Sequence, residues 1–130
     1  MLSIVAIGCR EITVAANVAN DLANKEGYII EQVAASDKVQ LYTNGIPYAV
    51  LGERIQGGDQ WRAYLIGAGG IAPCVAGGAI NAPAYVKPQN GGQVVAAAST
   101  NPCIGTKRDP SDAAAAGDVI GVDLSFVTMP

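Results

Sequence analysis

The sequence contains no histidine, the side chain most often used as a general base and as a transition-metal ligand. A Ser-His-Asp or Cys-His catalytic arrangement therefore cannot be assembled within one chain. The three cysteines, Cys9, Cys74 and Cys103, are isolated from one another in sequence, so a thiolate zinc site is not predicted either. We expect no catalytic, cofactor-binding or metal-binding residues and no enzymatic activity.

The cysteine count is odd and no CxxC spacing occurs. A disulfide framework in a small secreted domain would be denser and even-numbered. The three thiols are therefore predicted to be free and buried, which is consistent with synthesis in a cytoplasm.

Charge is also scarce, at 15% of the residues, with a net charge of −3. The eight basic residues are scattered, and Lys107-Arg108 is their one adjacent pair. Binding to nucleic acid through phosphates needs a clustered basic face, so no nucleic-acid partner is expected. No apolar run approaches the length that spans a bilayer, so no membrane segment is expected.

Two pairs of carboxylates lie close together in sequence, Glu26 with Glu31 and Asp109 with Asp112. Paired carboxylates in a β-protein can serve a glycoside hydrolase, which makes a hydrolase one of the competing hypotheses. With only 11 acidic residues in the chain, these four are better explained as residues of solvated loops.

Half of the residues are apolar but only 5% are aromatic, and the mean hydropathy is +0.27. So few charges are poorly suited to covering the surface of an isolated subunit, and large apolar patches mark interaction sites. The composition therefore favours an oligomer or an assembled state. An ordinary monomer rich in alanine and glycine is the alternative.

Short runs of branched residues alternate with turn dipeptides such as Asn44-Gly45 and Gly57-Gly58. This pattern is typical of strands joined by tight turns, and many short strands indicate a sandwich or barrel. The prediction is an all-β fold, a small β-barrel or tulip-like sandwich of short antiparallel strands with an irregular N-terminal arm. The predicted strands lie at residues 28–33, 38–43, 48–51, 60–66, 93–96 and 119–126.

The domain boundary is predicted between residues 26 and 27, with a single β-barrel domain over 27–130. Val14, Val18 and Leu22 recur at every fourth position, as in a helix, but the asparagines between them are poor in helix interiors. A strand through Ile12–Val14 explains the pattern equally well. Residues 1–26 are therefore predicted to form an arm with a first strand or a short helix.

The two halves of the chain resemble each other faintly. Residues 27–30 are similar to 84–87, residues 50–52 to 103–105, and Gly58-Asp59 to Gly117-Asp118, in the same order. A duplicated fold would explain this, and so would the turn sequences that any two β-meanders share.

Six residues are predicted to contact a partner or another subunit. An apolar N-terminal run without helix or signal features could add a strand to the sheet edge of a neighbour. Trp and Arg are favoured interface anchors, although a tryptophan at a strand centre is more often a core residue. Since alternate residues of a strand face opposite sides, at most one of Trp61 and Arg62 lies in the core. The six are Leu2, Ile4, Val5, Ile7, Trp61 and Arg62.

The second half of the chain carries a series of small-residue motifs. They run through residues 76–80, 84–88, 92–97 and 103–106 to the alanine-rich stretch and final strand at 113–122. Over residues 65–127 this series resembles the decoration (cement) proteins of tailed-phage capsids. The segment Thr106–Pro110 departs from the more apolar stretch of that family, and residues 1–26 match no pattern in it.

The resemblance implies a structural protein of the virion, made in the host cytoplasm, that binds the outer surface of an assembled phage head. Its partners would be the major capsid protein and its own copies, in a homotrimer. The competing interpretation is a β-barrel module that binds carbohydrate or another small ligand. One tryptophan, one phenylalanine and five tyrosines make a carbohydrate platform possible but thin.

Overall fold

The structure is a computed structural model that describes residues 6–55, 59–81, 84–98, 102–107, 115–125 and 127–128. Within these residues the chain is almost entirely β, with one short 3-10 turn at Ala19–Leu22. The predicted all-β fold with a barrel is therefore confirmed.

The first half of the chain forms a closed five-stranded barrel, here called the first barrel. Its strands pair in the order β1-β3-β2-β4-β5, and β5 returns to β1. All pairs are antiparallel except β1 with β3, which is parallel and departs from the predicted antiparallel arrangement. The strands are β1 (Glu11–Ala16), β2 (Ile29–Gln32), β3 (Lys38–Leu41), β4 (Ala49–Arg54) and β5 (Gln60–Leu65).

The second half forms another five-stranded sheet, called the second sheet. Its edge strands meet through a parallel bridge between Ala76 and Val94, so the sheet curls back on itself. A separate pair of short strands, β9 (Pro102–Cys103) and β12 (Val127–Thr128), lies beside it. The strands of the second sheet are β6 (Ile71–Val75), β7 (Tyr85–Pro88), β8 (Val94–Ala96), β10 (Gly105–Lys107) and β11 (Val119–Asp123), in the order β6-β11-β10-β7-β8.

The two sheets have the same topology. The counterparts of β1, β2, β3, β4 and β5 are β6, β7, β8, β10 and β11, and exchanging them converts the closed strand order of the first barrel into that of the second sheet. Individual backbone hydrogen bonds also correspond. The Asn17 amide donates to the Val39 carbonyl at 2.9 Å, and the Gly77 amide donates to the Val94 carbonyl at 2.7 Å. Three further pairs of bonds match: Ala16–Asp59 with Ala76–Asp118, Tyr42–Ile29 with Ala97–Tyr85, and Leu65–Arg10 with Leu124–Gly70. The internal repeat is therefore real at the level of the fold.

The first strand that was predicted within residues 1–26 is present. Residues 11–16 form β1, which contains Ile12–Val14, pairs with both β3 and β5 and closes the first barrel. A boundary between residues 26 and 27 would divide this barrel. The four-residue spacing of Val14, Val18 and Leu22 does not come from a single helix, because Val14 lies in β1 and Leu22 in the 3-10 turn. Val14 points into the barrel, Val18 is 52% exposed, and Leu22 is buried where the 3-10 turn packs against the core.

Each sheet encloses its own apolar core, filled by alternate residues of the strands. The interior of the first barrel contains Trp61, and Leu22 packs into it from the connection between β1 and β2. In the second sheet Ile80 occupies the corresponding connection. The first core comprises Val14, Ala16, Leu22, Ile30, Val39, Ala49, Leu51, Trp61 and Ala63.

The outer face of the first barrel is apolar where the second sheet covers it. Ile29 and Val50 point away from the first core, yet they are completely buried because they belong to the core cluster of the second sheet. Burial on both faces explains why β4 begins with four consecutive buried residues. The cross-strand pair Ile29–Val50 corresponds to Tyr85–Thr106 in the second sheet, where both residues are half-exposed.

A glycine turn of the second sheet joins the two halves. The Ile29 amide donates to the Gly92 carbonyl at 2.7 Å, and the Gly91 amide donates to the Tyr42 carbonyl at 2.8 Å. Gly92 has a φ of +92°, and a β-carbon there would lie 2.7 Å from the Ile29 carbonyl oxygen. Only glycine combines this backbone conformation with so close an approach.

Candidate functional site

The connection between β3 and β4, residues 42–48 and here called the Ile46 loop, is held by one carboxylate. The Glu31 Oε1 accepts hydrogen bonds from the backbone amides of Thr43 at 2.8 Å and Gly45 at 3.1 Å. Its Oε2 accepts from the Gln40 side-chain amide at 2.8 Å and from the Thr43 hydroxyl at 3.0 Å. Both oxygens are thus engaged by the protein itself.

Strand geometry places Glu31 at this position. Ile30 faces the first core, so its neighbours Ile29 and Glu31 face outward. Ile29 is covered by the second sheet, whereas Glu31 is covered by the Ile46 loop and is only 6% exposed. Gln40 lies directly opposite Glu31 on β3, so it reaches the carboxylate as a cross-strand partner.

The loop ordered in this way presents Ile46 to solvent with 82% of its surface exposed. Among the described residues only Ile7 and Val18 are other large apolar side chains with more than half of their surface exposed. The loop is also fixed on its second-sheet side, because the Tyr42 carbonyl accepts the Gly91 amide. An apolar side chain on a pre-ordered loop loses little conformational freedom on binding, which favours a role as a contact anchor.

The hydrogen bonds to Glu31 also determine its protonation. Burial alone would raise the pKa of Glu31, but the hydrogen bonds from Thr43, Gln40 and Gly45 outweigh it, and the pKa lies below the usual value for a glutamate. Hydrogen bonds to the charged form favour that form. The carboxylate is therefore ionised at neutral pH and orders the loop as an anion.

The lowered pKa predicts that part of the protein's stability depends on pH. Because the folded-state pKa is below the unfolded value, the contribution of Glu31 is present above the unfolded pKa of about 4.3 and is lost as pH falls through the folded pKa. We expect Glu31→Gln to be less stable than the unchanged protein at pH 7, and the difference to shrink by about pH 2.5. Denaturant midpoints at the two pH values measure this, and a difference that is constant with pH would contradict it.

The predicted N-terminal contacts fall partly outside the described residues, which begin at residue 6, so Leu2, Ile4 and Val5 lie beyond them. Ile7 forms an antiparallel bridge with Ile71 of the same chain, with N–O distances of 2.9 and 2.8 Å. Its side chain is 64% exposed. The backbone of Ile7 is therefore paired within its own subunit, and its side chain faces solvent.

Trp61 and Arg62 face opposite sides of β5, as the alternation predicted. Trp61 is 1% exposed in the first core, and the Arg54 guanidinium lies 4.8 Å from the centre of its ring. The Trp61 ring is therefore not available for the predicted surface contact. Arg62 is exposed and forms an ion pair with Glu11, with 3.1 Å between Nη1 and Oε1.

None of the three cysteines forms a disulfide. Cys74 and Cys103 are buried as predicted, and burial raises the pKa of Cys74 strongly. Cys9 is half-buried, and its Sγ lies 3.2 Å from the Ile71 carbonyl oxygen. In the described part of the chain no three His, Cys, Asp or Glu residues are grouped to hold a metal ion.

The carboxylates considered for a hydrolase are not arranged as an acid–base pair. Glu31 lies in β2, is buried and is saturated by protein donors, so its predicted place in a solvated loop is wrong. Glu26 is exposed. Asp109 and Asp112 lie outside the described residues. No helix in the described residues is both long and apolar enough to cross a membrane.

A cleft of about 310 Å³ lies between the first barrel and the second sheet. Glu26, Glu53 and Tyr64 line it from the first barrel, and Pro73, Val75 and Val119 line it from the second sheet. The Val75 amide donates to the Gly27 carbonyl at 3.0 Å at this junction. The cleft is the second surface with features of a binding site.

Neither surface was recognised from the sequence. The pair Asn44-Gly45 indicated a turn, and the following Ile46 was the one signal, because an isoleucine in a turn is unusual. The cleft left no local signal, since its walls come from segments that are distant in the chain.

Comparisons with known proteins do not assign a family. No protein-family model matches the chain, and a search of curated proteins likewise finds no match.

Proposed function

We propose that this protein is a capsid decoration protein that binds the outer surface of an assembled tailed-phage head and stabilises it. The observation that carries the proposal is the Ile46 loop, in which a buried carboxylate orders a surface segment around an 82% exposed isoleucine. The low charge and the small-residue motifs of the second half support the same function.

The energetics suit attachment at many equivalent positions. Burial of one isoleucine side chain contributes about 1.5–3 kcal/mol, which is weak for a single contact. In a homotrimer each subunit contributes one such anchor, and simultaneous contacts multiply into high avidity. The partners in this proposal are therefore the major capsid protein and two further copies of the chain, with the protein residing on the capsid surface of the virion.

Ile46→Ser is expected to weaken binding to the capsid by about tenfold or more per contact, because the apolar anchor is lost while the loop's hydrogen bonds remain. Co-sedimentation with purified capsids measures the affinity. Val18→Ser is the matched control, since Val18 is also exposed but lies outside the Ile46 loop. Equal binding by Ile46→Ser and the unchanged protein would show that the loop is not the contact. Absence of the unchanged protein from the capsid pellet would contradict the proposed function.

A second function, that of a β-barrel module binding carbohydrate or another small ligand, is favoured by the cleft between the two sheets. Ligand sites are concave and combine apolar walls with a few polar groups, as this cleft does. Within the described part of the chain Tyr64 is the one aromatic side chain that lines it, which is little for stacking on a sugar ring.

A further inference from the structure

The cleft between the first barrel and the second sheet is acidic at one side and apolar at the other. The first barrel supplies Glu26 and Glu53, and the second sheet supplies Pro73, Val75 and Val119. Both glutamates are exposed, so their side chains are hydrated in the absence of a ligand. A ligand suited to this cleft needs a positive charge beside an apolar stem.

The basic side chains near the cleft are engaged elsewhere. The Lys25 ammonium lies 4.9 Å from the centre of the Tyr28 ring, and the Arg54 guanidinium lies over Trp61. Arg62 pairs with Glu11. Among the described residues neither Glu26 nor Glu53 forms an ion pair, so this part of the chain leaves the negative charge of the cleft uncompensated.

The hydroxyl of Tyr64 lines the same cleft. Burial is the largest cause that raises its pKa, and the carboxylates of Glu11 and Glu53 raise it further, against the opposing effect of Arg62. The hydroxyl therefore stays protonated at neutral pH. It offers both a hydrogen-bond donor and an acceptor at the wall of the cleft.

We propose that this cleft binds an alkylguanidinium or alkylammonium group, with the cation between Glu26 and Glu53 and the aliphatic stem against Pro73, Val75 and Val119. Arginine and lysine side chains of a protein partner have this chemistry, and so do free amines such as agmatine. Their stems pack on apolar surface while the charged end stays at a polar rim. The inference defines the ligand class of the cleft and is independent of the capsid proposal.

The test is a titration of the isotopically labelled full chain at low salt, followed by amide chemical shifts. Agmatine represents a free amine, and a blocked Gly-Arg-Gly peptide represents a protein side chain. We expect binding in the millimolar range, as is usual for so small a ligand, with shifts centred on residues 26–27, 52–53, 64 and 73–75. Tighter binding of the peptide than of agmatine identifies a protein-borne side chain as the better ligand, and the reverse identifies the free amine.

Glu26→Gln and Glu53→Gln should each weaken the binding about fivefold, and the double variant should weaken it further. The two effects are coupled, because both carboxylates contact the same cation. Asp37→Asn is the matched control, because it removes the same charge from an exposed residue outside the cleft and should leave the affinity unchanged. Butylurea, an uncharged analogue, should produce no shifts in the cleft. The proposal is overturned if butylurea binds as tightly as the cationic probes or if the double variant binds them as tightly as the unchanged protein. It is also overturned if neither cationic probe shifts the amides of the cleft.

Discussion

Replacing Glu31 by alanine is expected to lower the free energy of unfolding by about 2–3 kcal/mol and to release the Ile46 loop. The change removes four hydrogen bonds and leaves the amides of Thr43 and Gly45 without their acceptor. Water can replace part of this loss because both residues are exposed, which limits the cost. Urea unfolding measures the loss in stability, and amide exchange at Thr43 and Gly45 measures the release of the loop.

Two further variants separate the anion from the general effect of altering β2. Gln32→Ala changes the exposed neighbouring residue of the same strand and should stay within about 0.5 kcal/mol of the unchanged protein. Glu31→Gln keeps the size and one acceptor oxygen, so its free energy of unfolding should lie between those of Glu31→Ala and Gln32→Ala. If Glu31→Ala is as stable as Gln32→Ala and its loop amides stay protected, the carboxylate does not order the loop.

The release of the loop connects stability to the proposed function. At a temperature where Glu31→Ala remains folded, its capsid affinity should fall although Ile46 is still present. The binding then has to order the loop as well as bury the isoleucine, and that ordering costs free energy. This makes Glu31 a positioning residue for Ile46.

The strands were predictable where one face is buried and the other exposed. In β5 the sequence alternates between exposed Gln60 and Arg62 and buried Trp61 and Ala63, and this strand was predicted at 60–66 against the observed Gln60–Leu65. The start of the chain was less accessible to prediction. β1 closes the first barrel through pairing with β3 and β5, and such long-range pairing has no signature in the local sequence.

The repeat was visible in part, for a physical reason. Gly58-Asp59 and Gly117-Asp118 were matched correctly, since the Asp59 and Asp118 carbonyls accept equivalent hydrogen bonds from Ala16 and Ala76. The match of residues 27–30 with 84–87 was displaced by one position, because Tyr28 corresponds to Ala84 in the structure. The match of 50–52 with 103–105 was displaced by three, because Val50 corresponds to Thr106. Connections of different length shift the alignment between strands, and small apolar residues are too similar to correct it.

The function of Glu31 was beyond the sequence for a similar reason. Its hydrogen-bond partners lie 9 to 14 residues further along the chain. They reach the carboxylate only in the register that pairs Glu31 with Gln40. From sequence alone Glu31 was therefore considered beside Glu26 as an acid pair.

The two copies of the fold have diverged on their outer faces according to what covers them. At the junction the first barrel has Ile29, Val50 and Tyr64, and their counterparts in the second sheet are Tyr85, Thr106 and Asp123. The counterparts are half-exposed. The second sheet therefore buries the outer face of the first barrel, whereas these three counterparts on its own equivalent face are polar and partly exposed.

This divergence gives a reciprocal pair of substitutions, of which only one is expected to destabilise the protein substantially. Val50→Thr introduces a hydroxyl at a completely buried position between the two sheets, where an unsatisfied polar group costs about 2 kcal/mol. Thr106→Val is the matched change at the equivalent, half-exposed position, and it should alter the free energy of unfolding by no more than about 0.5 kcal/mol. Both exchanges conserve shape and β-propensity, so the difference between them isolates burial at the junction.

Urea unfolding of the two variants and of the unchanged protein measures the difference, with the slope of the transition as a second readout. A steep single transition that shifts only for Val50→Thr indicates that the two halves unfold as one cooperative unit through this junction. Equal effects of the two substitutions would mean that Val50 is no more buried in solution than Thr106. The second sheet would then not cover the outer face of the first barrel, and the cleft between them would lose one of its walls.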